Sequence, residues 1–135
     1  MLILYKMAHY KSFEDLEVYQ LSRELCQDIW KLITETTLSK DYKLREQING
    51  SSGSVMDNIA EGFGRGGNKE FINFLSIARG SCSETKAQLQ RALDRSHLDY
   101  NLYVVLKDKA QKLIDQISKF MNYLKSSERK GSKYD

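Results

Sequence analysis

The sequence predicts an all-α protein, an antiparallel up-down-up-down four-helix bundle. Three observations predict it. The 135 residues contain no proline, the residue that most reliably breaks a long helix. Apolar residues recur at helical spacing over four successive stretches. The intervals between those stretches are short and polar or glycine-rich, with no strand signal, which suits neighbouring helices joined by tight turns. Hydrophobic content of 41% and charged content of 29% are those of one globular domain spanning residues 1–135. A chain of this size buries about two thirds of its unfolded surface and needs no metal or disulfide to fold.

The spacing predicts a first helix over about 12–36. Ser12 is the expected N-cap, and Glu14 and Asp15 fall in the first turn, where negative charge suits the helix dipole. Leu16, Tyr19, Arg23, Cys26, Trp30 and Ile33 follow one stripe, which Leu21, Leu25, Ile29 and Leu32 widen. Glu14, Glu17, Glu24, Asp28 and Lys31 cover the wet side. The run from Thr34 to Ser39 reads as a turn.

A second helix is expected over about 39–63, on the stripe Leu44, Ile48, Val55, Ile59 and Phe63. Its weak point is Gly50-Ser51-Ser52-Gly53-Ser54. A helix-interior glycine costs roughly 1 kcal/mol relative to alanine. The stripe keeps its phase across this run, so a continuous helix is expected. Small residues there would let another helix approach closely.

Four of the eight glycines, Gly62, Gly64, Gly66 and Gly67, fall within six positions. They are expected to end the second helix. Gly67 or Asn68 then caps a third helix over about 68–94. Phe71, Phe74, Ala78, Cys82, Thr85, Leu89 and Ala92 form its stripe. Asp99 is the expected N-cap of a fourth helix over about 99–125. There Leu106, Ala110, Leu113, Ile117, Phe120 and Leu124 repeat in a strict three-four pattern. Residues 126–135 are polar and are expected to fray.

Net charge is +3 and the pI about 8.8. Residues 1–38 carry four Lys/Arg against six Asp/Glu, and residues 39–135 carry seventeen against twelve. An acidic first helix and a basic remainder should face different surroundings, and the basic part is compatible with a polyanion.

Several chemistries find no support. Cys26 and Cys82 read as reduced core thiols. Neither they nor His9 and His97 have metal-ligand spacing, so no metal and no cofactor is expected. The run Gly62 to Gly67 follows a helix and not a strand, and lacks the Gly-Lys-Ser/Thr ending of a phosphate loop. His9 and His97 supply no evident base beside a nucleophile, so no enzyme is expected. Met1 to Lys6 is apolar but too short to span a membrane and unlike a signal peptide. The start at Met1 or at Met7 is left open, and a cytoplasmic protein is expected.

Glu61, Glu70 and Glu84 lie near the glycine corner with Asn58, Arg65, Lys69 and Arg79. They form either a solvated charged rim or a polar network that fixes the corner or a subunit contact. Lys69, Arg79, Lys86, Arg91 and Arg95 share the third helix but no narrow stripe. They serve either solubility or a nucleic-acid surface.

Two motifs then suggest a family. One is Phe13-Glu14-Asp15-Leu16-Glu17-Val18-Tyr19-Gln20. The other is Asn58-Ile59-Ala60-Glu61-Gly62-Phe63-Gly64-Arg65, followed by Lys69-Glu70-Phe71-Ile72-Asn73-Phe74-Leu75-Ser76-Ile77-Ala78-Arg79-Gly80-Ser81 and by Glu84 to Leu89. Over roughly residues 10 to 125 the chain resembles the four-helix bundle proteins encoded within intervening sequences of bacterial large-subunit ribosomal RNA genes. That family includes the accessory variability proteins of diversity-generating retroelements. The resemblance implies a homopentameric ring and, in the retroelement branch, a basic surface that binds nucleic acid and a reverse transcriptase. By position, Asn58, Glu61, Gly62, Glu70, Phe71 and Phe74 are signature or interface residues. Arg65, Lys69, Arg79, Lys86 and Arg91 are the candidate nucleic-acid contacts.

The chain departs from the family in two places. Ser54-Val55-Met56-Asp57 lacks the proline found before the signature, and Glu46-Gln47-Ile48-Asn49-Gly50 replaces an arginine-rich segment. Two functions follow as expectations. One is a non-enzymatic oligomer that binds RNA or DNA. The other is an adaptor that binds protein through the acidic first helix or through Tyr19, Trp30 and Tyr103.

Overall fold

The computed structural model describes residues 10–129. The question of a start at Met7 and the last six residues lie outside that range. Four helices make up the fold: α1 Glu17–Glu35, α2 Tyr42–Gly64, α3 Asn68–Asp94 and α4 Tyr100–Arg129. Contacts run in opposite directions along each neighbouring pair. Gln47 meets Arg91 and Gly62 meets Phe74 across α2 and α3. Lys86 meets Gln111 and Asn68 meets Leu124 across α3 and α4. Cys26 meets Ser52 across α1 and α2, and Asp28 meets Lys109 across α1 and α4. The bundle is therefore antiparallel throughout, with one core between the four stripes.

Two helix starts differ from expectation, for local reasons. Ser12 does cap, but it caps a single 3-10 turn, Phe13–Asp15, closed by a capping box with Asp15. Leu16 then turns extended and drops into the core at 2% exposure, so α1 begins one residue later. Between α1 and α2 a second 3-10 turn, Thr37–Lys40, buries Leu38 completely. Thr36 stabilises that bend: its hydroxyl donates to the Leu32 carbonyl at 2.6 Å and accepts from the Leu38 amide at 3.2 Å. Helix α2 consequently starts at Tyr42.

Helix α2 runs unbroken through Gly50–Gly53. Ser51 and Ser52 are buried at the missing turn of its stripe. The Ser51 hydroxyl donates to Gln88 Oε1 at 2.6 Å and lies 2.8 Å from the Thr85 hydroxyl. The Ser54 hydroxyl lies 2.9 Å from that of Ser81. Small polar residues thus let α2 and α3 close together while satisfying each buried hydroxyl.

Gly66 takes the left-handed turn at φ +89°, and Gly67 is the N-cap of α3. At the far end of α3, Ser96 adopts φ 61°. His97 donates its amide to the Ala92 carbonyl and Ser96 donates to Leu93, both at 2.9 Å. This closes the helix with a Schellman motif whose left-handed position is filled by serine rather than glycine. The Asp99 carboxylate caps α4 through the Leu102 amide at 2.8 Å. Helix α4 extends beyond the expected end at 125: residues 126–129 are helical, and Ser127 is buried.

The α3 and α4 stripes are buried as read, with Phe74 and Phe120 only half-buried. The buried stripe of α1 is narrower than the apolar spacing predicts. Trp30 is 56% exposed and Arg23 is exposed, while Val18 and Ser22 are buried instead.

Candidate nucleic-acid interface

The signature residues build a corner. Gly62 is helical and buried, and its role is proximity rather than chain reversal. A methyl group on it would lie 2.7 Å from Phe74 Cβ and 2.9 Å from Phe71 Cδ1. Phe71 packs edge-on against Phe63 at 6.0 Å and against Phe120 at 5.4 Å. Asn58 donates its amide to the Ser54 carbonyl at 2.8 Å and to the Ser54 hydroxyl at 2.9 Å, which ties it into the α2–α3 seam. Arg65 donates to Glu61 Oε1 at 2.8 Å and lies 4.0 Å from Glu70. Its guanidinium covers the Phe74 ring at 5.2 Å. Arg65 thus links Glu61 and Glu70, and all three side chains are exposed, as are those of Glu84 and Lys69 on α3.

The five basic candidates do not share one face. Arg65 belongs to the corner, and two carboxylates offset its charge. Arg79 donates to the Ser118 hydroxyl at 3.1 Å, and Lys86 donates to Gln111 Oε1 at 2.6 Å. Both lie on the α3–α4 edge, seven residues apart, or about 10 Å along the axis. Arg91 lies on the opposite edge of α3 and donates to Gln47 Oε1 of α2 at 3.0 Å. The contacts holding Arg79, Lys86 and Arg91 are thus neutral oxygens. Such partners fix a cation in place without cancelling its charge.

Other cations are held by carboxylates. Lys109 bridges Asp28 at 2.8 Å and Glu24 at 3.1 Å, and these bonds raise its pKa. Arg95 pairs with Asp41 at 2.9 Å. The α1–α4 edge and the end of the bundle are therefore cross-linked by charge, while on the α3–α4 edge Arg79 and Lys86 meet neutral groups directly and the neighbouring Asp115 carboxylate is held by Gln111 Nε2 at 2.9 Å.

A cluster at that end was not legible in the sequence. Asp41 Oδ2 accepts from both Arg95 and His97 Nε2 at 2.9 Å, and His97 Nδ1 lies 2.7 Å from the Thr37 hydroxyl. His97, for which the sequence spacing offers no partner, has its ring held on both sides. The bonds from His97 and Arg95 hold the Asp41 carboxyl down at about 2. With two cationic or polar donors on one carboxylate, the cluster staples the α1–α2 connection to the α3–α4 connection.

Cys26 donates its thiol to the Ser52 carbonyl, and Cys82 donates to the Ala110 carbonyl. Burial pushes the Cys82 thiol up to about 12. Among the described residues no group of three or more His, Cys, Asp or Glu is placed to hold a metal ion. No described helix is long and apolar enough to cross a membrane. Of the aromatic residues expected at an adaptor surface, Tyr103 is buried with its hydroxyl on Gln90, and Tyr19 packs on Phe13. Trp30 alone is open.

The fold and the corner together define a class: small antiparallel four-helix bundles with a pinched α2–α3 hairpin. The family model described as 23S rRNA-intervening sequence protein matches residues 14–119. The chain belongs to that family. It is also similar in fold to a protein of unknown function from the S23 ribosomal protein family of Bacteroides thetaiotaomicron. The TM-score is 0.70 at 21% identity, covering 77% of this chain and 97% of that one. No curated protein matches the sequence.

Proposed function

We propose that the protein is a non-enzymatic accessory protein that binds nucleic acid, RNA or DNA, as a homo-oligomer. The observation that carries this reading is the pair Arg79 and Lys86, held on one edge by neutral oxygens. Phosphates of a nucleic-acid backbone are the natural partners of cations so presented, and each contact adds affinity and salt dependence.

Assembly strengthens the reading. Gly50, Gly53 and Gly80 lie inside helices, and a methyl group on any of them would meet nothing within 4 Å. Each costs roughly 1 kcal/mol against alanine, and no contact among the described residues requires it. The Ser54–Ser81 contact puts Gly53 and Gly80 at one level of the α2–α3 seam, near Ile77, which is 52% exposed. We place the contact between copies on this seam. A ring of five, as the resemblance implies, repeats the Arg79–Lys86 edge once per subunit. A reverse transcriptase is a further partner if the gene neighbours one.

The test is retention of radiolabelled RNA and DNA by the intact protein at low salt, with light scattering for mass. Binding that weakens steeply with salt, on a particle larger than one chain, is expected. Undetectable binding at low salt would overturn the nucleic-acid reading. A monomer at micromolar concentration would overturn the ring.

A further inference from the structure

The α3–α4 edge continues past Lys86. Three hydrogen bonds cross it in order: Arg79 to the Ser118 hydroxyl, Lys86 to Gln111 Oε1, and the Tyr103 hydroxyl to Gln90 Oε1 at 2.6 Å. Lys107 lies four residues from both Gln111 and Tyr103, so it shares their face of α4 between the second and third crossings. Its ammonium sits 5.8 Å from the centre of the Tyr103 ring. Among the described residues Arg79, Lys86 and Lys107 make no ion pair. The carboxylates beside them accept from amides, Asp115 from Gln111 at 2.9 Å and Asp94 from Gln90 at 3.1 Å. Three cations therefore follow one edge, with Lys107 about 6 Å along the axis beyond the Lys86 crossing.

The row ends at a ring. Tyr100 opens α4 one turn before Tyr103 and has 66% of its surface open to water, where a large ring gains little from folding. Its centroid lies 6.0 Å from that of Tyr103 at 42°. Tyr103 is itself fixed, buried at 6% exposure with its hydroxyl on Gln90. Tyr100 is thus braced by a held ring and otherwise open. A nucleic-acid strand carries phosphates that match the cations and flat bases that match the ring. Unpaired bases stack on such rings, whereas a duplex keeps its bases stacked on one another.

We propose that the α3–α4 edge binds a single strand, with phosphates on Arg79, Lys86 and Lys107 and an unpaired base stacked on Tyr100. The proposal rests on the nucleic-acid reading above and deepens it by naming the form of nucleic acid. Charge complementarity sets the course of the strand, and Tyr100 separates single strands from duplexes, which cations alone do not do.

An abasic strand keeps the phosphates and removes the bases, so it isolates the ring's part. Filter retention at low salt compares the intact protein's affinity for a single-stranded oligodeoxyadenylate, an abasic strand of the same length and a duplex. The adenylate should bind about tenfold more tightly than the abasic strand. Tyr100→Ala should abolish that preference and leave the abasic strand and the duplex unchanged, with helicity by circular dichroism and particle mass intact. Tyr100→Phe should keep the preference. Lys107→Gln should flatten the plot of log affinity against log salt by about one per subunit engaged, and an unchanged slope would remove Lys107 from the row. Equal affinity of the native protein for adenylate and abasic strands would overturn the base contact and leave the nucleic-acid reading standing. Equal weakening of both strands by Tyr100→Ala, or loss of the oligomer, would give Tyr100 a structural role and also overturn it. Absence of any retention would remove both readings.

Discussion

Arg65 and Arg79 belong to one helical hairpin, but their surroundings divide the molecule into two regions. At the corner, Arg65 lies between Glu61 and Glu70 and over the Phe74 ring. On the α3–α4 edge, Arg79 touches a serine hydroxyl, and Lys86, two turns on, touches a glutamine oxygen. The corner uses cations to hold structure. The edge uses neutral groups to hold cations. The contrast teaches that the partner of a basic residue, more than its position in a family motif, decides whether its charge is available to a ligand.

The largest expected effect breaks the structural side of the comparison. Gly62→Ala would force Phe74 and Phe71 apart, and overpacking of this kind costs about 1–3 kcal/mol. Denaturant unfolding should show it, and an unchanged midpoint would mean that the hairpin is not pinched there. The next effect is on the other side. Arg79→Glu with Lys86→Glu should lower nucleic-acid affinity at least about tenfold, roughly 1.4 kcal/mol, with the fold intact. Arg65→Gln should leave affinity alone. Because its ion pair is half-exposed, losing it should cost under about 1 kcal/mol of stability.

Lys109→Met sharpens the comparison further. Lys109 carries the same formal charge as Lys86 but is offset by Glu24 and Asp28. Its loss should leave binding unchanged in a filter assay and shift stability by less than about 1 kcal/mol, since the pair is partly exposed. The smallest effect concerns the staple. Asp41 has its folded pKa lowered from 3.8 to about 2. A lowered carboxylate pKa means that the pairing stabilises the fold above about pH 4 and is lost as pH falls towards 2. Thermal melts of the native protein and of Asp41→Asn should differ at neutral pH and converge near pH 2. A constant difference across that window would show that Asp41 acts by packing alone.

The fold was legible because its signals are local and repeated. Leu106, Ala110, Leu113, Ile117 and Leu124 keep one face for five turns, and that face is buried. Helix α2 could be read through Gly50 and Gly53 because its stripe never lost phase. Helix starts were less legible, since Ser12 and Thr36 cap short 3-10 turns as readily as long helices. Trp30 misled because α1 carries apolar residues over an arc wider than its partners cover.

The candidate site was only half legible. The sequence supplies Arg65, Arg79, Lys86 and Arg91, but not which oxygen each one meets. That depends on the register between helices, which sets Arg79 against Ser118 thirty-nine residues away. The contact of His97 with Asp41 joins two connections fifty-six residues apart and has no periodic trace. Gly62 looked like a chain-reversal glycine because helix ends and close helix contacts call for the same residue. Only the position of Phe74 separates the two roles.

One measurement tests the central claim most directly: the salt dependence of RNA binding by the native protein, by Arg79→Gln with Lys86→Gln, and by Arg65→Gln with Lys109→Gln. Each phosphate contact removed should flatten the plot of log affinity against log salt by about one. The first pair should therefore lose about two per subunit engaged, and the second pair should retain the native slope. Equal slopes in all three proteins, or a flatter plot only in the second pair, would contradict the division of charge between edge and corner.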